Sequence, residues 1–382
     1  MSKKVIIIRN AYSYDFGGGE RFPVFLAESL TKQSFEPLII SRNNTLLNFA
    51  RERGIAAKRG WWWSNQRWSG WRIALFPIYI VWQFVLYWWY RQIFTKEKPS
   101  AVHIQSKDDF IAATYAARHL GIAIVWTDHA DLKHVWRNIT APLKNPVGKW
   151  VYKAAQKADT ITVVSESELR EVSAHLPSES PILDKLKVVY NGCEDVISKY
   201  KTKHLGDKTS FIMASRLVTD KGIGEAIEAF KELHQKYPDT ELRIAGDGPE
   251  REKFTALAKD TDSIIFMGHQ TDPYKVISEA DIFLQPTYHE GFSVVLVEAS
   301  MLAKPIIATA VGGNVEIIHD KDTGLLVSTK DSKSLAIAME RFYTDVAFRD
   351  TLAKNARKQY EDRFVFDVIV KEGFIPLYET TR

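Results

Sequence analysis

Two glutamates, Glu290 and Glu298, follow a short apolar run at 281–285 that predicts a buried strand. Residues 286–289 would form the loop at the carboxyl end of that strand, where parallel sheets bind their ligands. Both carboxylates are therefore candidates for contact with a ligand. Taken singly, each also fits an ordinary structural role, Glu290 at a helix start and Glu298 on a solvated helix face.

Gly291, Phe292 and Ser293 come directly after Glu290, at the start of a helix predicted over 292–303. The first backbone N–H groups of a helix have no partner within it, and together with the helix dipole they attract an anion. Phosphate could bind at this helix start without a metal ion.

Arg216 and Lys221 lie between an apolar run at 210–214 and a helix predicted to begin near 223. An arginine and a lysine in such a loop can converge on a diphosphate, because the guanidinium group binds as a fork and the ammonium group as a point charge. An exposed basic loop that binds no ligand is an equally good interpretation of these residues.

Paired glycines mark two other turns between a predicted strand and a helix. Gly246 and Gly248 follow the run at 241–245, and a tight turn explains them best. Gly312 and Gly313 precede a predicted helix, where glycine lets the backbone approach a ligand closely. A simple turn would use the second pair equally well.

A third glycine-rich turn, Gly17, Gly18 and Gly19, separates the first predicted strand from a helix predicted over 22–30. Its spacing is neither G-x-G-x-x-G nor that of a P-loop, so dinucleotide binding and a P-loop ATPase are weakly supported. Close approach of the backbone to a substrate phosphate or sugar fits the turn.

His129 follows the predicted strand at 122–127, at the same kind of sheet edge, within the sequence Thr-Asp-His-Ala-Asp. An imidazole beside carboxylates could position or polarise a substrate hydroxyl. The alternative is a structural histidine bonded to a neighbouring loop. His103 lies within its own predicted strand, which favours a structural role.

These residues depend on short apolar runs that alternate with stretches of helical period. The runs lie at 5–9, 37–41, 101–104, 122–127, 160–164 and 187–190, and then at 210–214, 241–245, 264–267, 281–285, 305–308 and 324–327. This alternation is typical of a parallel sheet with helices on both faces, so two series predict two doubly wound α/β domains. The polar segment 194–208 predicts the linker.

The composition excludes several classes of protein. A chain of 382 residues with 45% hydrophobic content can bury two cores and is not globally disordered. Its net charge of +4 is too small for a dedicated nucleic-acid binder. The single cysteine, Cys193, excludes an intramolecular disulfide framework and a cysteine-cluster metal site, and fits a reducing cytoplasm. The first apolar run is expected to be a strand, not a secretory signal.

Tryptophan is concentrated in one segment, since eight of the eleven tryptophans lie between Trp61 and Trp89. Transmembrane helices contain about 17–25 residues. The apolar stretch 73–90 has 18 residues and is therefore at the lower end of that range. Because the strands predicted on either side belong to one sheet, they cannot lie on opposite sides of a bilayer. A membrane span is therefore not expected.

The same segment has the composition of a membrane interface, where amphipathic aromatic side chains and cations meet anionic lipid. Five tryptophans are interleaved with lysine and arginine: Trp61, Trp62, Trp63, Trp68 and Trp71. We favour attachment of 61–94 to an anionic membrane surface over a helix buried in the first domain. A lipid-linked acceptor at the cytoplasmic face would follow.

In chain order, these motifs resemble those of the family 4 retaining glycosyltransferases, which have the GT-B fold of two Rossmann-like domains facing a cleft. The resemblance covers nearly the whole chain. It rests on the glycines at 17–19, His129, Asn191-Gly192, Arg216 with Lys221, Gly246-Asp247-Gly248-Pro249, Glu290 with Glu298, and Gly312-Gly313.

The resemblance implies a role for each charged residue. Glu298 matches the glutamate that binds the ribose hydroxyls of the nucleotide, and Glu290 matches one that faces the donor sugar at the reacting centre. Arg216 and Lys221 match the pair that neutralises the diphosphate leaving group, and His129 matches a histidine near the donor sugar. The catalytic set would be Glu290, Lys221, Arg216 and His129.

It also implies which backbone contacts the donor. The amides of Phe292 and Ser293 match those that contact the donor sugar or phosphate, and Gly18 or Gly19 would approach the diphosphate or the acceptor. The full donor-binding set would be Glu298, Phe292, Ser293, Gly291, Gly246, Gly248, Arg216 and Lys221, with Gly17, Gly18 and Gly19 as an acceptor or phosphate loop.

The implied function is a retaining, metal-independent transferase in glycan or polysaccharide biosynthesis. It would move a sugar from a nucleotide sugar, with a UDP-sugar favoured over a GDP-sugar, to a lipid-linked or other saccharide acceptor, and it would need no cofactor and no nucleic acid. Two alternatives are a sugar-nucleotide epimerase of the same fold and a non-catalytic membrane-bound module that binds sugar nucleotides.

The implied domains are an acceptor-binding domain at 1–197, a nucleotide-sugar-binding domain at 198–362, and a helical segment at 363–382 that crosses back to the first domain. The expected location is the cytoplasm, peripheral on the inner face of the cell membrane.

Overall fold

The structure is a computed structural model that describes residues 3–10, 18–60, 76–129, 132–137, 146–200 and 207–379. The chain divides into two compact units. Unit 1 is Met1–Tyr190 together with Phe366–Arg382, and unit 2 is Asn191–Val365. Each unit contains one parallel sheet with helices around it.

Unit 1 contains a seven-stranded sheet in the order β3-β2-β1-β4-β5-β6-β7, whose paired strands are all parallel. The strands are β1 Lys3–Ile8, β2 Phe35–Ser41, β3 Ala56–Arg59, β4 Ala101–Ile104, β5 Ala123–Asp128, β6 Thr160–Val163 and β7 Leu186–Val188. The helices before residue 191 are α1 Gly18–Lys32, α2 Asn44–Glu52, α3 Phe76–Glu97, α4 Ala112–His119, α5 Leu132–Val135, α6 Pro146–Ala155 and α7 Glu166–Ser173.

Unit 2 contains a six-stranded parallel sheet in the order β10-β9-β8-β11-β12-β13. Its strands are β8 Thr209–Ala214, β9 Thr240–Ala245, β10 Ile264–Gly268, β11 Ile282–Gln285, β12 Ile306–Thr309 and β13 Leu325–Val327. Its helices are α8 Ile223–Lys236, α9 Arg251–Ala258, α10 Pro273–Ser278, α11 Val294–Met301, α12 Asn314–Ile317, α13 Ser332–Thr344 and α14 Val346–Arg363.

The predicted fold class is confirmed, since both sheets are parallel and every predicted strand is present with its ends shifted by at most two residues. The strand β3 was not predicted. Its sequence, Ala-Ala-Lys-Arg, contains no apolar run, because it lies at the edge of the sheet and its residues are half-buried or exposed. Central strands are buried on both faces and are therefore continuously apolar.

The direction of winding reverses once in each sheet. The chain runs from β1 to β2 and β3 on one side and then places β4 on the other side of β1. In the same way it runs from β8 to β9 and β10 and then places β11 beside β8. Ligands of doubly wound sheets bind outside the carboxyl ends of the strands at such reversals.

The C-terminal residues belong to unit 1. They form α15 Phe366–Ile369, a π-helical turn Val370–Phe374 and α16 Ile375–Tyr378. The rings of Phe366 and Phe374 meet Phe22 of α1 edge to face, with centroids 5.6 and 6.0 Å apart. The aromatic side chains of this segment thus complete the core on one side of the sheet.

The helix α3, Phe76–Glu97, contains the described part of the predicted apolar stretch and continues seven residues past its end. Within the described ranges, no helix is long and apolar enough to cross a bilayer. The tryptophans predicted to meet the membrane, Trp61, Trp62, Trp63, Trp68 and Trp71, lie outside the described residues, as does Gly17.

Candidate functional site

Two loops meet at the winding reversal of unit 2, residues 215–222 after β8 and residues 286–293 after β11. Lys221 and Glu290 lie one on each loop. The Nζ of Lys221 donates a hydrogen bond to Oε2 of Glu290 over 2.9 Å, and solvent reaches about a quarter of each side chain. The structure therefore pairs two residues that the sequence placed in separate motifs.

Backbone contacts hold these loops together. The backbone N–H of Tyr288 and the hydroxyl of Thr287 both donate to the carbonyl oxygen of Asp220, over 2.8 and 3.0 Å. Gly222 has a φ of +69°, and a Cβ there would clash with the carbonyl oxygen of Pro286. Glycine is required at this position because the two backbones touch.

Glu290 is also held from its other side by the glycine pair that precedes α12. Gly312 has a φ of +47°, and a Cβ there would clash with the carbonyl oxygen of Glu290. The N–H of Gly313 donates to that same oxygen over 3.2 Å. These glycines approach the protein's own backbone, which accounts for them without a ligand.

The loop with Gly246 and Gly248 packs in a similar way against the residues that flank Arg216. Gly246 has a φ of +133°, and side chains at 246 or 248 would clash with the backbone of Ser215 or Leu217. The Arg216 side chain is exposed and forms no ion pair with any residue in the described part of unit 2. Donor binding by these glycines stays a prediction.

The helix after Glu290 begins at Val294, so the predicted start at residue 292 is wrong by two residues. Ser293 has an extended backbone, with φ −82° and ψ 97°, and its hydroxyl accepts from the Gln285 amide over 3.3 Å instead of capping the helix. Phe292 is buried against Phe364, with ring centroids 5.9 Å apart. These contacts hold both residues just before the first turn.

Glu298 lies in the second turn of α11 and is half-buried. Two effects raise the pKa of the Cys193 thiol: burial first, and then the negative charge of the Glu298 carboxylate. Cys193 is also close to α14, where the hydroxyl of Tyr360 donates to its carbonyl oxygen over 2.9 Å. The Glu298 carboxylate thus acts electrostatically on the segment that opens unit 2.

His129 follows β5 in unit 1, with its Nε2 buried and without a hydrogen-bond partner among the residues that the structure describes. Burial, and then the electrostatic effects of Arg9 and His103, hold the pKa of His129 well below its usual value. The Phe22 ring meets the imidazole edge to face at 5.2 Å. His129 is therefore neutral at pH 7, and it suits a hydroxyl group better than a proton relay that needs imidazolium.

His103 has the structural role that its place in the sequence indicated. Its Nδ1 and Nε2 are each 2.6 Å from a hydroxyl oxygen, that of Tyr378 and that of Thr127 respectively. Burial lowers the pKa of His103 to about 3. Both ring nitrogens are occupied, so this imidazole is not available to a ligand.

A buried polar cluster lies at the winding reversal of unit 1 and was not predicted from the sequence. Asp109 accepts hydrogen bonds from Asn10 over 2.6 Å, Ser106 over 2.8 Å and Tyr90 over 2.7 Å. Burial raises the pKa of the Asp109 carboxyl group. Polar residues directly after a buried strand, here Gln105 and Ser106 after β4, were the available signal.

The edge of unit 2 can hold an anion, because it combines the cations Arg216 and Lys221 with the start of α11. The carboxylates of Glu290 and Glu298 can accept hydrogen bonds from the hydroxyl groups of a ligand. Within the described ranges, no group of three or more His, Cys, Asp or Glu side chains is placed to hold a metal ion.

Two family models match the chain side by side. The model described as Glycosyltransferase Family 4 matches residues 16–195. The model described as glycosyl transferases group 1 matches residues 197–359. Together they cover both units.

One similar protein is a glycosyltransferase of capsular polysaccharide biosynthesis. The capsular polysaccharide biosynthesis glycosyltransferase CapM of Staphylococcus aureus is 30% identical over 174 residues, which are 44% of this chain and 46% of CapM. The chain thus matches about half the length of that relative.

Among solved structures, a glycosyltransferase from Rickettsia africae has a TM-score of 0.77 at 19% identity, covering 99% of this chain and 98% of that one. Anabaena HepE in complex with UDP and glucose has a TM-score of 0.74 at 19% identity, covering 97% of each chain. These similarities show a shared fold over the full length.

Proposed function

The chain belongs to the group 1 glycosyltransferases, and we propose that it transfers a sugar from a UDP-sugar to a lipid-linked saccharide acceptor, with retention of the anomeric configuration and without a metal ion. The observation that carries the proposal is the contact between Lys221 and Glu290 at the winding reversal of unit 2. It joins a cation suited to a leaving phosphate to a carboxylate suited to a sugar.

The roles of the residues follow from charge. When the bond between C1 of the sugar and the β-phosphate oxygen breaks, negative charge grows on the diphosphate. Arg216, Lys221 and the start of α11 would stabilise that charge. The acceptor oxygen would bond to C1 on the face that the phosphate leaves, and the acceptor proton would pass to the departing phosphate. Retention follows from attack on the same face.

The pairing of Lys221 with Glu290 suggests how the site is kept ready. In the free protein each charge balances the other. A bound diphosphate would compete with Glu290 for Lys221, which would leave the carboxylate free to accept hydrogen bonds from the donor sugar. Glu298, in the second turn of α11, would bind the ribose hydroxyls.

The choice of UDP is supported by the solved structure of HepE with UDP and glucose, whose fold this chain shares. The experiment is incubation of the purified protein with UDP-sugars and a membrane lipid extract, with and without EDTA, followed by mass spectrometry of the product and NMR of its new anomeric centre. We expect an α-linked product from an α-donor and no effect of EDTA. A β-linked product would contradict retention, and loss of activity with EDTA would contradict metal independence.

The same experiment separates the two alternatives. A sugar-nucleotide epimerase would convert the UDP-sugar into its epimer without an acceptor. A binding module would hold the UDP-sugar without transfer or hydrolysis with any acceptor extract. Either outcome would end the proposal of glycosyl transfer.

Attachment to an anionic membrane is supported by the outer face of α3. Five apolar side chains there are between 39% and 64% exposed: Ile78, Val81, Phe84, Val85 and Trp88. At 100° per residue they fall within about one third of the helix circumference. The opposite face, with Leu86, Tyr90 and Phe94, is buried in the core of unit 1.

Lipid fits this exposed face of α3 best. No acidic residue lies on the exposed stripe, and the guanidinium group of Arg91 lies 5.1 Å from the Trp88 ring at its end. An apolar stripe with cations suits the boundary between acyl chains and anionic headgroups. The lysine-, arginine- and tryptophan-rich sequence just before α3 has the same character.

Flotation with vesicles of phosphatidylcholine, with or without phosphatidylglycerol, tests this attachment. We expect binding to the anionic vesicles, and loss of binding in the double variant Val81→Glu with Phe84→Glu. The matched control is Ile337→Glu with Val346→Glu, which changes two exposed apolar residues of unit 2. Equal flotation of the α3 variant and the wild type would contradict the proposal.

A further inference from the structure

The side chain of Tyr288 links the two loops that carry Lys221 and Glu290. Tyr288 lies in the loop after β11, two residues before Glu290. Its hydroxyl donates a hydrogen bond to Oε1 of Glu225, which lies in the first turn of α8, four residues after Lys221. The phenol side chain therefore connects the loop of Glu290 to the helix that continues directly from the loop of Lys221.

Tyr288 is fixed at its backbone, at its hydroxyl and at its ring. Its backbone N–H donates to the carbonyl oxygen of Asp220 over 2.8 Å, and its hydroxyl donates to Glu225. The Nζ of Lys330 lies 4.9 Å from the centroid of its ring. A tyrosine side chain has only two torsion angles, so contacts at both ends leave it little freedom. These contacts define where the loop of Glu290 lies relative to α8.

The ion pair of Lys221 and Glu290 needs such support. Solvent reaches about a quarter of each side chain, and partly exposed pairs of long, flexible side chains contribute little to stability. Such a pair does not by itself fix the spacing of two loops. The link through Tyr288 is rigid by comparison, and its ends lie two residues from Glu290 and four residues from Lys221.

The hydroxyl of Tyr288 is a lasting hydrogen-bond donor. Burial first, and then the hydrogen bond and the negative charge of Glu225, raise the pKa of Tyr288. The charges of Glu228 and Asp220 act in the same direction. The phenol is therefore protonated at pH 7, so the bond to Glu225 is present during an assay and the phenol is unsuited to proton transfer.

We infer that Tyr288 is a positioning residue of the unit 2 site. Through Glu225, its hydroxyl sets the spacing of the two loops and so places Lys221 for the negative charge that grows on a leaving diphosphate. Close placement matters for catalysis, since a displacement of about 1 Å can lower a rate about 100-fold. The inference rests on the proposed glycosyl transfer, and it assigns to Tyr288 an action through Lys221 instead of a contact with substrate.

The first test is kinetic and uses Tyr288→Phe, which keeps the ring and removes the hydroxyl. We expect kcat for release of UDP from a UDP-sugar to fall about 5- to 20-fold and KM to change less than about twofold, because the placement of Lys221 matters most in the transition state. The melting temperature should change by less than about 2 °C. An unchanged kcat would overturn the inference, because the hydroxyl would then serve only the fold.

Tyr343 provides the matched control. Its hydroxyl also donates to a carboxylate, that of Asp239, over 2.8 Å to each oxygen. Asp239 directly precedes β9, at the amino end of the strand, whereas the loops of Lys221 and Glu290 follow the carboxyl ends of their strands. Tyr343→Phe should therefore keep the wild-type kcat. An equal loss in both variants would overturn the inference, because the loss would not depend on the spacing of the two loops.

Variants of Glu225 test whether the hydroxyl acts through this carboxylate. Glu225→Gln retains an oxygen that can accept from Tyr288, so we expect kcat to stay within about threefold of the wild type. Glu225→Ala removes the acceptor and should match the loss in Tyr288→Phe. The double variant Tyr288→Phe with Glu225→Ala should lose no more than either single variant. Losses that multiply would contradict the link between the two side chains and overturn the inference.

Binding of UDP separates this inference from the proposed function. UDP carries the phosphate charge that develops when the sugar leaves, so its affinity reports the placement of Lys221 without turnover. By calorimetry, Tyr288→Phe should weaken UDP binding about three- to tenfold in the wild-type background and no further in the Lys221→Ala background. The same loss in both backgrounds would overturn the inference. If the wild type bound UDP but never transferred or hydrolysed a UDP-sugar, glycosyl transfer would fail while this coupling would still establish the positioning role.

Discussion

The carboxyl edges of the two sheets offer different chemistry on the same topology. In unit 2 the edge carries Arg216, Lys221 and Glu290, which are charged and reached by solvent. In unit 1 the edge carries Gln105 and His129, which have buried polar side-chain atoms without a hydrogen-bond partner among the described residues. The guanidinium group of Arg9 donates to the Gln105 carbonyl oxygen at the same edge. Both edges lie where doubly wound sheets bind ligands.

The difference shows that the fold supplies the place and the side chains decide the ligand. Lys221 is partly reached by solvent, so it can exchange Glu290 for a diphosphate without leaving a fully buried ion pair. Buried neutral groups instead favour a ligand that replaces water with directed hydrogen bonds. The edge of unit 2 thus suits a charged ligand, as the proposed glycosyl transfer requires.

The largest expected effect comes from removing the cation of unit 2. Lys221→Ala should lower turnover of the UDP-sugar by about 10²- to 10³-fold, because the leaving diphosphate loses its partner. Steady-state release of UDP measures this. Lys231→Ala is the control, since Lys231 donates to the Leu257 carbonyl oxygen and to no other described residue. Near-normal turnover in Lys221→Ala would remove the proposed role of that lysine.

A glycine that supports Glu290 gives the next effect. Gly312→Ala should lower the free energy of unfolding of unit 2 by about 2–4 kcal/mol, through left-handed strain and a clash with the Glu290 backbone. Turnover should fall as well. Gly54→Ala, at φ +73° with open space around it, should show the strain alone and keep turnover. Chemical denaturation of the two variants checks the difference, and equal losses would argue against the clash.

The second glutamate should matter for binding. Glu298→Ala is expected to weaken UDP-glucose binding by about 10- to 100-fold, as expected when hydrogen bonds to a charged group are lost. Titration calorimetry measures the affinity. Glu252→Ala, in the first turn of α9, is the control for loss of one negative charge from the same unit. An unchanged affinity in the Glu298 variant would place the ribose elsewhere.

The smallest effect concerns a buried histidine within β4 of unit 1. The folded protein holds His103 at a pKa of about 3, below the value near 6.5 of the unfolded chain. The unfolded state therefore binds the extra proton first, and the free energy of unfolding should fall by about 1.4 kcal/mol per pH unit as pH drops from 6.5 toward 3. Above pH 6.5 this histidine contributes no pH dependence.

Urea denaturation at pH 7.5, 6.0 and 5.0 checks this window. His103→Asn should give a shallower decline below pH 6.5 than the wild type. His175→Asn, at a partly exposed histidine of unit 1, should keep the wild-type decline. Identical slopes in all three proteins would mean that His103 is not the buried neutral group described above.

Sequence patterns were sufficient for the strands and for the loops that follow them, because a buried parallel strand is a short apolar run. They failed at β3, whose residues are polar at a sheet edge, and at the start of α11, where the Ser293 backbone is extended. The Gln285 amide donates to the Ser293 hydroxyl just before α11. This hydrogen bond depends on tertiary packing, which a local sequence pattern does not predict.

The sequence alone determined two doubly wound domains and put Arg216, Lys221, Glu290 and Glu298 after strands or in the helix that follows. Only the tertiary structure decided that Lys221 contacts Glu290, which is 69 positions away, because that contact depends on β8 lying beside β11. It also decided that the Gln105 side chain is buried without a hydrogen-bond partner among the described residues, since burial and hydrogen bonding are properties of the packed chain.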